Sequence, residues 1–139
     1  MKAIVTVIGK DKVGITAFVC NLLAQNNINI RALSLADTSE FGILRLIVDK
    51  PEEGKKILSE AGIVVRVTNV LSLTMEDTPG GMLGVLRLLA ESGIGVEYMY
   101  AFAGKTDGEA FMIIQTEEPE AAEGILLRGG FRQADIHGI

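Results

Sequence analysis

The stretch Asp77-Thr78-Pro79-Gly80-Gly81 has a counterpart earlier in the chain, Asp11-Lys12-Val13-Gly14-Ile15. Both stretches have the form Asp-x-x-Gly, and they lie 66 residues apart. Each is followed by apolar residues at the spacing of a helix with one buried face. An internal repeat of this length decides the architecture before any single residue is considered.

The repeat extends along the whole chain. Further matching segments, at shifts of 66 and then 68 residues, are Leu22-Leu23-Ala24 with Leu88-Leu89-Ala90 and Pro51-Glu52 with Pro119-Glu120. The two extra residues of the second copy are placed most simply in a hairpin loop. We therefore divide the chain into copy one, residues 1–68, and copy two, residues 69–139. Because both copies carry the same type of loop, the pattern indicates no unique catalytic centre.

In each copy, strand-like and helix-like segments follow one another in the order β-α-β-β-α-β. This order is typical of the ferredoxin-like, split β-α-β arrangement. Each copy is therefore predicted to be an α+β unit with a four-stranded antiparallel sheet and two helices on one face. The predicted strands cover residues 2–8, 28–35, 43–48, 63–67, 71–75, 96–102, 110–115 and 131–136, and the predicted helices residues 15–25, 51–61, 80–91 and 118–128.

Composition places the protein among globular chains. Of the 139 residues, 48% are hydrophobic and 22% are charged, a balance that excludes intrinsic disorder. No apolar stretch approaches the roughly 18 residues needed to span a bilayer, and no signal-peptide pattern precedes the first strand. The one cysteine, Cys20, excludes an internal disulfide and a cysteine-rich zinc site. We expect a cytoplasmic protein without a metal or a cofactor.

The charge is distributed unevenly between the copies. Residues 1–69 carry a net charge of +2 and residues 70–139 a net charge of −7. An acidic chain without a basic face is not expected to bind nucleic acid, which needs clustered Lys and Arg. The asymmetry reflects either divergent roles or drift of solvated surface charge, and we favour drift because exposed charges contribute little to stability.

A ferredoxin-like unit that opens with strand, Asp-x-x-Gly and helix resembles the ACT domain. The same family pattern continues after the helix, as Asn27-Ile28-Asn29-Ile30 in copy one and Gly93-Ile94-Gly95-Val96 in copy two. The resemblance covers the whole chain and implies a small free-standing protein of two ACT repeats with no attached enzyme domain. It also implies allosteric regulation, because ACT domains usually bind a small effector, most often an amino acid, and regulate metabolic enzymes. That effector usually lies between paired ACT units near the strand–helix loop.

The chemistry of the loop supports the same expectation. Glycine lets backbone N–H groups approach a ligand, and the start of the following helix offers unpaired N–H groups and partial positive charge to a carboxylate. The aspartates and Asn29 offer oxygen acceptors to an ammonium group. The expected ligand-binding residues are Asp11, Lys12, Val13, Gly14, Ile15 and Asn29 in copy one, and Asp77, Thr78, Pro79, Gly80, Gly81 and Met82 in copy two.

Structural explanations for several of these residues stay open. The aspartates could serve only as helix N-caps, and the glycines could serve only the geometry of the turn. Tyr98, Tyr100 and Phe102 alternate and so share one face of a strand, as part of an interface or of the core. The choice of face depends on whether a β-bulge follows Ile94. His137 is isolated near the end of the sequence, and no metal is expected there.

Two other classes of function compete with effector binding. Acyl-phosphate hydrolases use the same loop with an arginine, but residues 9–14 and 76–81 contain none. No nucleophile–base pair is apparent either, so we do not expect an enzyme. The alternative is a ligand-free interaction or oligomerisation protein that controls a partner enzyme. In both cases we expect a homodimer, because each copy is small for an independent core.

Overall fold

The computed structural model describes residues 2–10, 14–37, 40–104 and 107–134. Its contacts divide the chain into two compact units. The N-terminal unit is Ala3–Asn69, and the C-terminal unit runs from Val70 onward and also includes Lys2.

The N-terminal unit has the predicted β-α-β-β-α-β order. Strands β1, β2 and β3 are Lys2–Gly9, Ile30–Asp37 and Gly42–Val48, helices α1 and α2 are Ile15–Gln25 and Pro51–Glu60, and strand β4 starts at Val65. Strand β3 pairs antiparallel with both β1 and β2, and β4 follows on the other side of β1. This is the strand order of a ferredoxin-like sheet, as the sequence predicted.

The ends of α1 and α2 follow from particular residues. Asn27 has a φ of 57°, a left-handed conformation that asparagine tolerates, and it terminates α1 as expected. Pro51 is the first residue of α2, where its missing N–H costs no hydrogen bond. The two helices cover one face of the sheet. Buried side chains from this face form the N-terminal core: Val5, Val7, Val19, Leu23, Ile28, Leu44, Leu46, Val48 and Leu58.

The C-terminal unit repeats the arrangement. Its elements are strand β4 (Val65–Glu76), helix α3 (Leu83–Glu91), strands β5 (Val96–Ala103) and β6 (Glu109–Thr116), helix α4 (Pro119–Arg128) and the short strand β7 (Arg132–Gln133). Strand β4 pairs antiparallel with β6 and with β7, and β6 pairs antiparallel with β5. Its core consists of Leu71, Leu73, Val85, Leu89, Ile94, Met112, Ile114, Ala122 and Leu126.

Three predicted boundaries differ from the structure. Residues 63–67 and 71–75 belong largely to one continuous strand, β4, because ladder pairing overrides the weak strand preference of Asn69. Helix α3 starts at Leu83 and not at Gly80, whose φ of 80° is incompatible with a right-handed helix. The last strand is described only as Arg132–Gln133, and residues 135–136 of the prediction lie outside the described part of the chain.

The aromatic row on β5 lies on the face of the sheet away from the helices. The pairing register shifts between Val96 and Tyr98, as expected for a bulge. Beyond it, Tyr100 pairs with Ile113 and Phe102 with Phe111, whereas the intervening Met99 packs against the helix-side core. The rings of Phe102 and Phe111 have centroids 5.7 Å apart. The row is half-buried and is not part of the core under the helices.

In the ranges that the structure describes, no helix combines the length and apolar character needed to cross a membrane.

Candidate functional site

The strand–helix loop of the C-terminal unit, residues 77–82, is fixed by backbone hydrogen bonds. The N–H of Asp77 donates to the carbonyl oxygen of Gly108 over 2.9 Å, which fastens the loop to the β5–β6 connection. Inside the loop, the N–H of Gly81 donates to the carbonyl of Thr78 over 2.9 Å. The N–H of Leu83 donates to the carbonyl of Gly80 over 3.0 Å. The path of the loop is therefore set by main-chain bonds.

Both glycines of the loop are required by this path. Gly80 has a φ of 80°, in the region that favours glycine. A Cβ atom on Gly81 would overlap the carbonyl oxygen of Glu76, so no other residue fits there without a shift of the backbone. A Cβ atom on Gly80, in contrast, would meet no heavy atom within 4 Å. A side chain at position 80 would consequently project into open space.

Helix α3 begins without a side-chain cap. Its N-cap residue is Met82, and no side chain donates or accepts a capping hydrogen bond there. The alternative role of Asp77 as a helix cap is therefore wrong. The N–H groups of Gly84 and Val85, in the first turn, have no acceptor within the helix. This end of α3 offers donors and partial positive charge to an anion.

A pocket of about 840 Å³ adjoins this loop within the C-terminal unit. Its lining comes from four segments: the end of β4 (residues 74–76), the loop and first turn of α3 (78–81 and 84), the hairpin and start of β6 (107–109), and the approach to β7 (130–132). Of the residues predicted for this copy, Thr78, Pro79, Gly80 and Gly81 line the pocket. Asp77 and Met82 are exposed and are not among its lining residues.

One side of the pocket depends on a close contact between Gly84 and Phe131. A Cβ atom on Gly84 would lie 2.9 Å from Cζ of Phe131, which is too close for ordinary packing. The absence of a side chain at position 84 therefore lets the Phe131 ring lie against the first turn of α3. Phe131 packs against the helix-side core and also lines the pocket, where it contributes apolar surface.

Four charged side chains line the pocket, and sequence reasoning identified none of them. They are Glu76 at the end of β4, Asp107 in the hairpin, Glu109 at the start of β6, and Arg132 on β7. The strand registers place Glu76 directly opposite Glu109, and Arg132 directly opposite Thr74. The ferredoxin-like order already indicated that the last strand of copy two begins beside the end of its first strand. That signal could have pointed to residues 130–132.

The matching loop of the N-terminal unit is described only in part. Asp11, Lys12 and Val13 lie outside the described residues. Gly14 is the N-cap of α1, with a φ of −90° that any residue can adopt, and its carbonyl accepts the N–H of Phe18 over 3.0 Å. Ile15 starts the helix, and its side chain lies against Gly9, where a Cβ atom would be 3.0 Å from Cγ1 of Ile15.

Asn29 is not brought to this loop within its own unit. Strand β2 runs parallel to β1, since both are antiparallel to β3. The start of β2 therefore lies where β1 begins, at the opposite end of the sheet from the loop that follows Gly9. There the N–H of Asn29 donates to Oδ1 of Asp49 over 3.0 Å, and the N–H of Asp49 donates to the carbonyl of Asn29 over 3.1 Å. These bonds give Asn29 a structural role between β2 and α2.

Comparison with known proteins identifies the fold family. A sequence profile described as "ACT domain pair" matches residues 2–133. The crystal structure of a protein from Bacteroides thetaiotaomicron is similar over 96% of this chain and 91% of that chain, with 29% identity and a TM-score of 0.88. The ligand-free regulatory subunit of aspartate kinase from Thermus thermophilus is similar over 91% of both chains, with 19% identity and a TM-score of 0.64. At that identity the second likeness shows the fold alone.

Curated relatives match a shorter part of the chain. A UPF0237 protein of Clostridium acetobutylicum is 49% identical over 49 residues, which are 35% of this chain and 55% of that protein. A UPF0237 protein of Bifidobacterium longum is 44% identical over 48 residues, or 34% of this chain and 53% of that protein. The chain thus spans about half the length of these relatives. Because the domain-pair profile covers residues 2–133, the chain belongs to the family of ACT domain pairs.

Proposed function

We propose that this protein is a non-catalytic regulator that binds a small effector, an amino acid, in the pocket of its C-terminal unit. One observation carries the proposal. The pocket beside the Asp-x-x-Gly loop brings a guanidinium, a helix N-terminus and several carboxylates around one cavity. Its volume of about 840 Å³ lies in the range of roughly 300–1,000 Å³ typical of small-molecule sites.

The charges of the pocket suit the two ends of an amino acid. The carboxylate of the effector would bind Arg132 and the free N–H groups at the start of α3, as anions do at helix N-termini. Its ammonium group would bind carboxylates on the opposite side, of which Glu109 is half-buried. Met75 and Phe131 offer apolar surface to its aliphatic part.

Effector binding would act on the loop as well as on the pocket. The loop is tied to the β5–β6 connection through the N–H of Asp77 and the carbonyl of Gly108. A ligand held between these segments would stabilise their arrangement by its differential affinity, which is the requirement for an allosteric signal. We propose that a metabolic enzyme receives this signal. The proposal includes a cytoplasmic homodimer and a division into repeats at residues 1–68 and 69–139.

A second candidate function is favoured by exposed apolar residues in the N-terminal unit. Phe18 on α1 is 48% exposed, and Leu33 and Leu35 on β2 are 48% and 51% exposed. Contiguous apolar surface of this kind favours protein association. On this alternative, the protein would be a ligand-free interaction module, and β2 would pair with a partner.

A thermal-unfolding screen of the whole chain against the twenty amino acids, followed by calorimetry, separates these functions. A ligand present at 100 times its dissociation constant adds about 2.7 kcal/mol to the free energy of unfolding. A selective rise in the unfolding temperature is the expected result. If no amino acid raises it, while the protein associates with concentration, the interaction function replaces effector binding.

A further inference from the structure

Three carboxylates along the edge of the pocket, Glu76, Asp107 and Glu109, form what we call the acidic rim. They come from three different segments of the C-terminal unit: β4, the β5–β6 connection and β6. With Arg132, the described side chains of the pocket have a formal charge of −2. A zwitterionic ligand of zero net charge would leave this imbalance in place.

The ACT fold does not need the acidic rim. At the shifts of the repeat, Lys10 stands in copy one where copy two has Glu76, and Phe41 stands where copy two has Glu109. Val64 replaces Arg132, and it is 72% exposed. The N-terminal unit has the same strand order with these residues. The charges are therefore a property of the second copy and not of its architecture.

The rim also opposes folding of the free protein. Glu76 and Glu109 lie directly opposite each other in the β4–β6 ladder, and like charges in that position repel. A bound cation would relieve this repulsion. Within the described ranges, no three side chains of His, Cys, Asp or Glu come together as ligands for a metal ion. A ligand with ammonium or guanidinium groups, spread over several ångströms, fits the separated carboxylates better.

We propose that the pocket selects an amino acid with a cationic side chain. The inference rests on the proposed function and adds to it the class of effector. The α-carboxylate binds Arg132 and the start of α3, the α-ammonium group binds one carboxylate of the rim, and the side-chain cation binds another. A ligand of this class has a net charge of +1, which reduces the imbalance of the pocket, and both of its cations receive charge-assisted hydrogen bonds.

Isothermal titration calorimetry with two matched ligand pairs tests the proposal on the whole chain. The pairs are L-arginine with L-citrulline and L-lysine with L-norleucine, which differ mainly in the side-chain charge. We expect the cationic member of at least one pair to bind about tenfold tighter or more, as for a hydrogen bond between charged groups. Tighter or equal binding of the neutral member overturns the proposal but leaves effector binding intact. Absence of binding by every amino acid in the screen overturns both.

A double variant tests the role of the rim itself. In the variant Glu76→Gln with Glu109→Gln, the ratio of L-citrulline to L-arginine dissociation constants should fall towards one. Binding of L-citrulline should change little, and the unfolding temperature should stay equal or rise because a repulsion is removed. The matched control Glu60→Gln, at an exposed position of α2, should leave the ratio as it is. An unchanged ratio in the double variant would show that the rim does not select the ligand.

Discussion

Substitution of Gly80 by asparagine distinguishes a glycine needed for ligand approach from one needed only for the turn. Gly80 has a φ of 80°, so most side chains would be strained there whatever the space around them. Asparagine is the substitution of choice because it enters the left-handed region more readily than other residues with a side chain. Its Cβ atom would meet no heavy atom within 4 Å and would extend from a residue that lines the pocket.

Gly62 provides a matched control. Its φ is 83°, it follows the end of α2, and a Cβ atom there also meets nothing within 4 Å. The backbone cost of asparagine should therefore be similar at the two positions, at about 1 kcal/mol or less of unfolding free energy. The two variants differ in that position 80 lines the pocket and position 62 lies in the other unit.

The expected result separates stability from binding. Denaturant unfolding should give similar losses of stability for Gly80→Asn and Gly62→Asn, whereas calorimetry should show a weaker effector complex only for Gly80→Asn. Loss of one charge-assisted contact corresponds to about tenfold in affinity or more. Equal affinities in both variants would refute the placement of the effector against this loop. A much larger loss of stability at position 80 would refute the strain argument.

Three further predictions follow from contacts in the structure. Arg132→Gln should weaken effector binding about tenfold or more, whereas Arg87→Gln, at an exposed site outside the pocket, should not; calorimetry decides this. Gly84→Ala should lower the unfolding free energy by about 1–3 kcal/mol through overlap with Phe131, and adding Phe131→Leu should recover part of the loss in denaturant titrations. Asn27→Ala should cost about 1 kcal/mol, while Asn27→Gly should be nearly neutral, because φ is 57° there.

Local chemistry made much of the fold predictable. The helix predicted over residues 15–25 matches α1 at both ends, because apolar spacing and the asparagines that follow it act within a few residues. The break predicted near Asn69 fails for the opposite reason. Strand β4 continues through that residue because it is paired along its length with other strands, a contribution that lies outside any local window.

The candidate site was predictable only where it is local. The loop at residues 78–81 was identified from its own sequence, but the other sides of the pocket depend on strand register. Neither the pairing of Arg132 with Thr74 nor that of Glu76 with Glu109 can be derived from a hydrophobic pattern. Asn29 was assigned to the same site as the loop because strand direction was not considered, and the sheet places it at the other end.

The loop motif and the pocket charges carry different kinds of information. Gly80 and Gly81 are both explained by backbone geometry, so their presence indicates a loop of this shape and says little about a ligand. Glu109 and Arg132 have no such explanation, because copy one builds the same strand order with Phe41 and Val64 at the equivalent positions. Residues that the architecture leaves free, yet that converge on one cavity, are the stronger indication of function. For this protein they favour a ligand with a carboxylate at one end and more than one positive charge.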